Sequence, residues 1–184
     1  MKPIEKPQNL FIRIAYAIAR KRFGKVISPL KVIYSRRPAL LGFSLKIERR
    51  MKKNGLPHEL AVLIRTLVAI ERNCGFCIDI GRYELIEAGV TPEKANDLWD
   101  YERSSHFTPR ERAALDFAHC IVHRPAEVKP LREKLDQFFS EKEVIDIAWV
   151  CAAESYYNVL NKGIGLESDQ LCSINPPFPV AAAN

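Results

Sequence analysis

Two cysteines, Cys74 and Cys77, stand three residues apart in the segment Ile70-Glu71-Arg72-Asn73-Cys74-Gly75-Phe76-Cys77-Ile78-Asp79-Ile80-Gly81. Residues at that spacing on a helix share a face, so the two sulfurs can close a disulfide with little rearrangement. Asn73 is read as the N-cap of this helix, which puts Cys74 in the first turn. Unpaired backbone N–H groups and the positive end of the helix dipole stabilise a thiolate there. Arg72 adds a positive charge and Glu71 opposes it. Such surroundings bring a cysteine pKa from about 8.5 into a range of roughly 3.5–7.5, and the thiolate is the reactive form. A closed cycle is then available. One thiolate attacks a hydroperoxide and becomes a sulfenic acid, the second thiol condenses with it to a disulfide, and an external dithiol restores the pair. No metal, flavin or haem is required, and no cofactor is expected. The same spacing occurs in thioredoxin-like folds, but those need a strand–helix context that this chain does not supply.

The remaining cysteines read differently. An odd total of five, without a secretory signal, argues against a disulfide framework. Cys120 and Cys151 lie inside apolar helical patterns, where a free cysteine behaves as a small hydrophobe, and Cys172 is isolated. His119 and His123 are four apart on one helix, a zinc-ligand spacing that Cys74 and Cys77 could complete to Cys₂His₂. The two halves lie far apart in sequence, and no metal is expected; His123 is instead placed at a helix C-terminus, where the dipole favours it. His58 and His106 stand at helix beginnings and read as surface residues, and Asp79 as a solvated or salt-bridged carboxylate off the cysteine face. Glu154 shares a helix face with Tyr157, Asn158 and Asn161. Buried polar groups in so apolar a helix need partners, and Glu154 is the candidate titratable partner for the thiols.

The elements that must position these residues are helical nearly throughout, with no convincing alternating strand. Helices are predicted over 9–22, with Phe11, Ile14, Ala15 and Ile18 on one face, and over 39–53, stopping at the left-handed terminator Asn54-Gly55. A strongly apolar helix follows over 57–71, with Leu60, Leu63, Ile64, Leu67 and Val68 as its stripe. The next begins at the cysteine pair and ends near Gly89. Thr91-Pro92 opens another, with threonine as cap and proline in the first turn. Thr108-Pro109-Arg110-Glu111 and Ser140-Glu141-Lys142-Glu143 are capping boxes that open long helices over 111–123 and 144–162, with a shorter helix over 128–139 between them. The result is an all-α, single-domain bundle of about eight helices: a basic N-terminal helical arm over 1–30, a helical domain over 31–170 and an irregular tail over 171–184.

Length and composition are those of one soluble domain, with 184 residues, 47% hydrophobic and 27% charged. No run approaches about 18 apolar residues, so no membrane-spanning helix is predicted. Arg13 interrupts the apolar Leu10-Phe11-Ile12, and no signal cleavage site follows, so the protein is expected in the cytoplasm. Much of the net charge of +6 sits before residue 54. No nucleic-acid-binding signature accompanies it, and the basic region reads as a solvated face, with neither nucleic acid nor membrane as partner.

Three blocks carry a resemblance: Leu56-Pro57 through Cys77; Phe107-Thr108-Pro109-Arg110-Glu111-Arg112-Ala113-Ala114-Leu115-Asp116-Phe117-Ala118; and Phe138-Phe139-Ser140-Glu141 through Tyr156-Tyr157-Asn158-Val159-Leu160-Asn161. Over residues 30–166 the chain resembles the carboxymuconolactone decarboxylase and alkylhydroperoxidase D superfamily. The resemblance implies a helical fold of the alkylhydroperoxidase D-like type and assembly into a homo-oligomer, a trimer or hexamer. In the branch with the cysteine pair it implies a thiol-dependent hydroperoxidase, served by a dithiol reductant protein or a small thiol. It assigns Cys77 as the residue oxidised by peroxide and Cys74 as the resolving one. Two positions depart from that branch. Its histidine four residues after the second cysteine is Gly81 here, and its glutamate twelve residues before the first is Val62, so the proton relay that activates the thiols is missing. The sequence therefore points to a peroxiredoxin-like oxidoreductase acting on hydroperoxides. The alternatives are a redox-sensing or ligand-binding module of the same fold, or a lactone decarboxylase-like non-redox enzyme.

Overall fold

A computed structural model of the chain describes residues 1–171; Cys172 and most of the tail predicted to be irregular lie outside the described residues. Within them stand eight α-helices and no strand: α1 (Leu10–Phe23), α2 (Pro38–Met51), α3 (His58–Glu71), α4 (Gly75–Glu87), α5 (Pro92–Asn96), α6 (Pro109–His123), α7 (Val128–Leu135) and α8 (Glu141–Ile164). A π-helical turn, Leu30–Tyr34, joins α1 to α2. α5 is short and passes into a 3₁₀ turn, Asp97–Asp100.

α3 is the centre of the bundle. Its predicted stripe of Leu60, Leu63, Ile64, Leu67 and Val68 is wholly buried, and so are Ala61, Val62, Thr66 and Ala69 on its other sides. A helix apolar on all sides must be surrounded, and α4, α6 and α8 pack around it. Both predicted capping boxes are formed, with Thr108 and Ser140 each accepting from the N3 amide while Glu111 and Glu143 reach back to the cap. Thr91 caps α5 with Pro92 in the first turn.

Two predicted details are corrected. α2 ends at Met51 with an ordinary right-handed cap at Lys52, and neither Asn54 nor Gly55 is left-handed. Asn54 instead accepts from Leu56 N–H in an Asx turn. Gly55 permits close approach: its N–H donates to Asp146 Oδ2 at 2.8 Å, and a Cβ there would stand 3.3 Å from the same oxygen.

In α1 the inward face is Ile12, Tyr16 and Ala19, while Phe11, Ile14 and Ile18 point outward. The helix is apolar on two sides, and tyrosine decides between them. Its ring is buried while its hydroxyl donates to Ile4 O and pairs with Ser35 Oγ, a combination an aliphatic side chain cannot offer. The basic residues of the arm hold it to the body: Arg22 pairs with Glu84 and Glu87, and Tyr83 donates to Arg22 O.

Candidate functional site

The chain enters the cysteine helix through a Schellman turn. Asn73 is left-handed (φ 49°), its N–H donates to Ile70 O, and Cys74 N–H donates to Ala69 O. Asn73 therefore closes α3 and does not cap α4, as the sequence had suggested. Asparagine suits either role, and the hydrogen bonds decide it. Cys74 becomes the N-cap of α4 and Cys77 its third residue, so Cys77, not Cys74, lies in the first turn among the free N–H groups.

The two sulfurs are joined in a disulfide, with Cα atoms 5.2 Å apart. Both residues are buried, Cys74 at 0% and Cys77 at 3% exposure, against Ala69, Phe76, Ile78, Tyr157 and Leu166. The segment 166–171 lies across this end of α4. Asp79, which is buried and not solvated, accepts Leu171 N–H on both oxygens at 2.9 and 3.0 Å. Asp169 accepts from Ser28 N–H and Ser28 Oγ at 2.6 Å each. A Cβ on Gly75 would meet the backbone of Ser168 at 3.6 Å.

On the inner side α8 presents a row of buried polar residues, Glu154, Asn158 and Asn161. Asn161 Nδ2 donates to Cys77 Sγ at 3.4 Å, and Asn158 Nδ2 donates to Glu154 Oε1 at 2.6 Å. Asn158 Oδ1 is buried with no hydrogen-bond partner among the described residues. Glu154 and Cys77 thus each meet an asparagine of the same α8 face, Asn158 and Asn161 respectively, as two separate contacts. Tyr157, on the neighbouring side, donates instead to Ser44 O.

Glu154 belongs to a cluster that the sequence reading missed. Arg65 reaches Glu154 at 3.3 Å, Glu84 at 2.9 Å and Glu48 at 3.5 Å. Burial works against the guanidinium charge, but the three carboxylates outweigh it and hold Arg65 protonated. Burial also pushes Glu154 up to about 7, opposed by Arg65 and Asn158 and assisted by the like charge of Glu48. Three acids around one base leave excess negative charge, and the most buried of them retains its proton longest. The signal available in the sequence was Arg65 itself, a charged residue inside the apolar run of α3.

Val62 and Gly81, where the family resemblance expects the relay glutamate and histidine, both meet Thr66, the first through its backbone carbonyl. Thr66 Oγ1 donates to Val62 O at 2.9 Å, and a Cβ on Gly81 would stand 2.7 Å from the same Oγ1. The space a histidine would need beside α3 is filled by Thr66.

The two imidazoles predicted to share a face do so, but with Glu71 and not the cysteines. His119 Nδ1 lies 2.6 Å from Glu71 Oε1 and His123 Nε2 lies 3.1 Å from Oε2. The helix break at Asn73 carries Glu71 away from the thiols. His106 pairs with Asp97 at 2.9 Å and His58 is exposed. Cys120 and Cys151 are buried free thiols; burial, then the charge of Glu71, pushes Cys151 up to about 12. That keeps it an inert thiol at neutral pH.

Residues 39–119 match the carboxymuconolactone decarboxylase family. The fold is that of an uncharacterized peroxidase-related protein with an alkylhydroperoxidase core from Ralstonia eutropha JMP134, with TM-score 0.78 over 93% of this chain and 96% of that one at 22% identity. The carboxymuconolactone decarboxylase match thus spans the centre of the chain, from α2 into α6, and includes the cysteine pair. The uncharacterized protein YnjA of Escherichia coli K12 is 24% identical over 90% of this chain and 92% of its own length. The debrominase Bmp8 has TM-score 0.79 at 19% identity, covering 92% of this chain and 91% of its own. At these identities the solved structures establish the fold and not the activity. Among the described residues no helix is long and apolar enough to cross a membrane.

Proposed function

We propose that this protein is a thiol-dependent, peroxiredoxin-like oxidoreductase that reduces hydroperoxides through a dithiol–disulfide cycle of Cys77 and Cys74. The observation that carries the reading is the start of α4, where Cys77 stands in the first turn, is joined to Cys74 and accepts the Asn161 amide. The Cys77 thiolate attacks one peroxide oxygen; the O–O bond breaks, the remaining oxygen takes a proton and leaves as an alcohol or water, and the sulfur becomes a sulfenic acid. Cys74 then attacks that sulfur, forming the disulfide and releasing water. A dithiol reductant, a protein or a small thiol, is oxidised in turn and restores both thiols. Sulfur carries both electrons, so the cycle calls on no cofactor.

Two helical turns separate Glu154 from Asn161, about 10 Å along the axis, too far for direct proton transfer to Cys77. Glu154 is proposed to act through its charge alone: protonated, it adds no like charge within two helical turns of the Cys77 thiolate on this face. The missing relay then removes general-base assistance of roughly 10²–10⁴, and turnover is expected to be slow by that order. A second reading, a redox sensor, draws support from the burial of both sulfurs beneath segment 166–171.

The deciding measurement is a free-thiol count under denaturing conditions, before and after one equivalent of hydroperoxide, in wild type and Cys77→Ser. Loss of two thiols in wild type only, with turnover given a dithiol, is the expected result. Oxidation without turnover favours the sensor, and thiols that stay reduced end both readings.

A cytoplasmic, homo-oligomeric state, trimer or hexamer, is part of the proposal. The outward stripe of Phe11, Ile14 and Ile18 on α1 is suited to a second copy of the chain. Light scattering of Ile18→Lys is expected to give a smaller assembly than wild type, and an unchanged mass would count against that contact.

A further inference from the structure

We propose that Glu71, His119 and His123 form a binding site for a divalent transition-metal ion of the zinc class, separate from the thiol chemistry. His119 and His123 stand one turn apart on α6, and Glu71, the last residue of α3, meets them both. The donor atoms, one from each residue, all lie within 4.8 Å of one another. Bonds of about 2.0–2.2 Å to two imidazole nitrogens and a carboxylate oxygen would bring them around one ion with small side-chain movements, leaving at least one position for water.

Three further observations favour a cation. First, α3 ends at Glu71 and α6 ends at His123, so two helix C-termini, each carrying partial negative charge, converge on the cluster. Second, Glu71 is a carboxylate only 11% exposed at its side chain, and among the described residues no lysine or arginine pairs with it; its ion-pair partners are the two imidazoles. Third, Glu71 Oε2 is buried without a hydrogen bond, because the 3.1 Å approach of His123 lacks the alignment of one. A negatively charged group at the negative ends of two helices, with one oxygen unsatisfied, is a poor arrangement for a structural hydrogen bond and a good one for a metal ligand. The imidazoles, 36% and 44% exposed, leave a path for the ion from solvent.

Nitrogen and carboxylate donors in this ratio suit Zn²⁺, Co²⁺ and Fe²⁺ better than Ca²⁺ or Mg²⁺, which prefer all-oxygen sites. The test uses full-length protein oxidised so that the Cys74–Cys77 disulfide is closed and its sulfurs are not ligands. After treatment with chelator, it is titrated with Zn²⁺ by calorimetry and with Co²⁺ by visible absorption. One ion per chain, a cobalt spectrum without a thiolate charge-transfer band, and a raised Tm are expected. His123→Gln and His119→Gln, both at partly exposed positions, are expected to weaken binding by more than about tenfold, the upper range seen for loss of even an outer-shell partner being about 100-fold. Absence of stoichiometric binding by folded protein, affinity unchanged in both variants, or a thiolate–cobalt band would each overturn the site.

Discussion

Replacing Glu154 by glutamine gives the sharpest check on the buried polar row of α8. The side chain is nearly inaccessible, and burial raises its carboxyl from 4.5 to about 7. Between those limits the folded chain holds a proton that the unfolded chain has released. Stability is therefore lost as pH rises through this window, by up to about 3 kcal/mol for the whole interval. The glutamine of Glu154→Gln mimics the protonated acid, keeps an acceptor for Asn158 and leaves Arg65 paired with Glu84 and Glu48. The difference in unfolding free energy, variant minus wild type, is expected to grow by about 2–3 kcal/mol from about pH 4 to about pH 8. Urea unfolding at half-unit steps of pH measures it, with a constant m-value as the sign that the compared states are unchanged. Parallel stability curves for the two proteins would refute the placement of a proton on Glu154, and with it the electrostatic role assigned to that residue.

Three other outcomes follow from particular contacts. Gly81→Ala is expected to destabilise by about 1–3 kcal/mol through overpacking against Thr66, and Thr66→Ala to relieve most of that in the double variant; thermal unfolding of the four proteins gives the coupling, and additive effects would count against the clash. Asn161→Ala removes the donor to Cys77 Sγ and is expected to slow alkylation of Cys77 in a Cys74→Ser background near neutral pH, with the pH–rate curve shifted upward; an unmoved curve would remove Asn161 from the site. Asp169→Ala loses both bonds to Ser28 and is expected to speed oxidation of the thiols by loosening segment 166–171, read by stopped-flow thiol loss; an unchanged rate would mean that the peroxide reaches Cys77 by another path.

The helical class, the boundaries at Thr91, Thr108 and Ser140, the buried stripe of α3 and the pairing of Cys74 with Cys77 were all legible in the chain itself. These rest on local chemistry: capping hydroxyls, apolar periodicity and a spacing that one helical turn fixes. The same reading pointed to Glu154 and Asn161 as residues needing partners, and to His119 and His123 as sharing a face. Which partners they found was settled only when the helices packed. Asn73 serves α3 instead of α4 because a Schellman turn satisfies the end of α3. α1 turns its tyrosine inward because Ile4 and Ser35 lie there to meet the hydroxyl. Gly81 is a glycine because Thr66 of another helix occupies the space a side chain would need. Arg65 gathers three carboxylates from α2, α4 and α8, and Glu71 meets the imidazoles of α6 across the bundle. Each of these contacts joins residues that are remote in the chain or are offered two local solutions of similar energy, and packing selects between them.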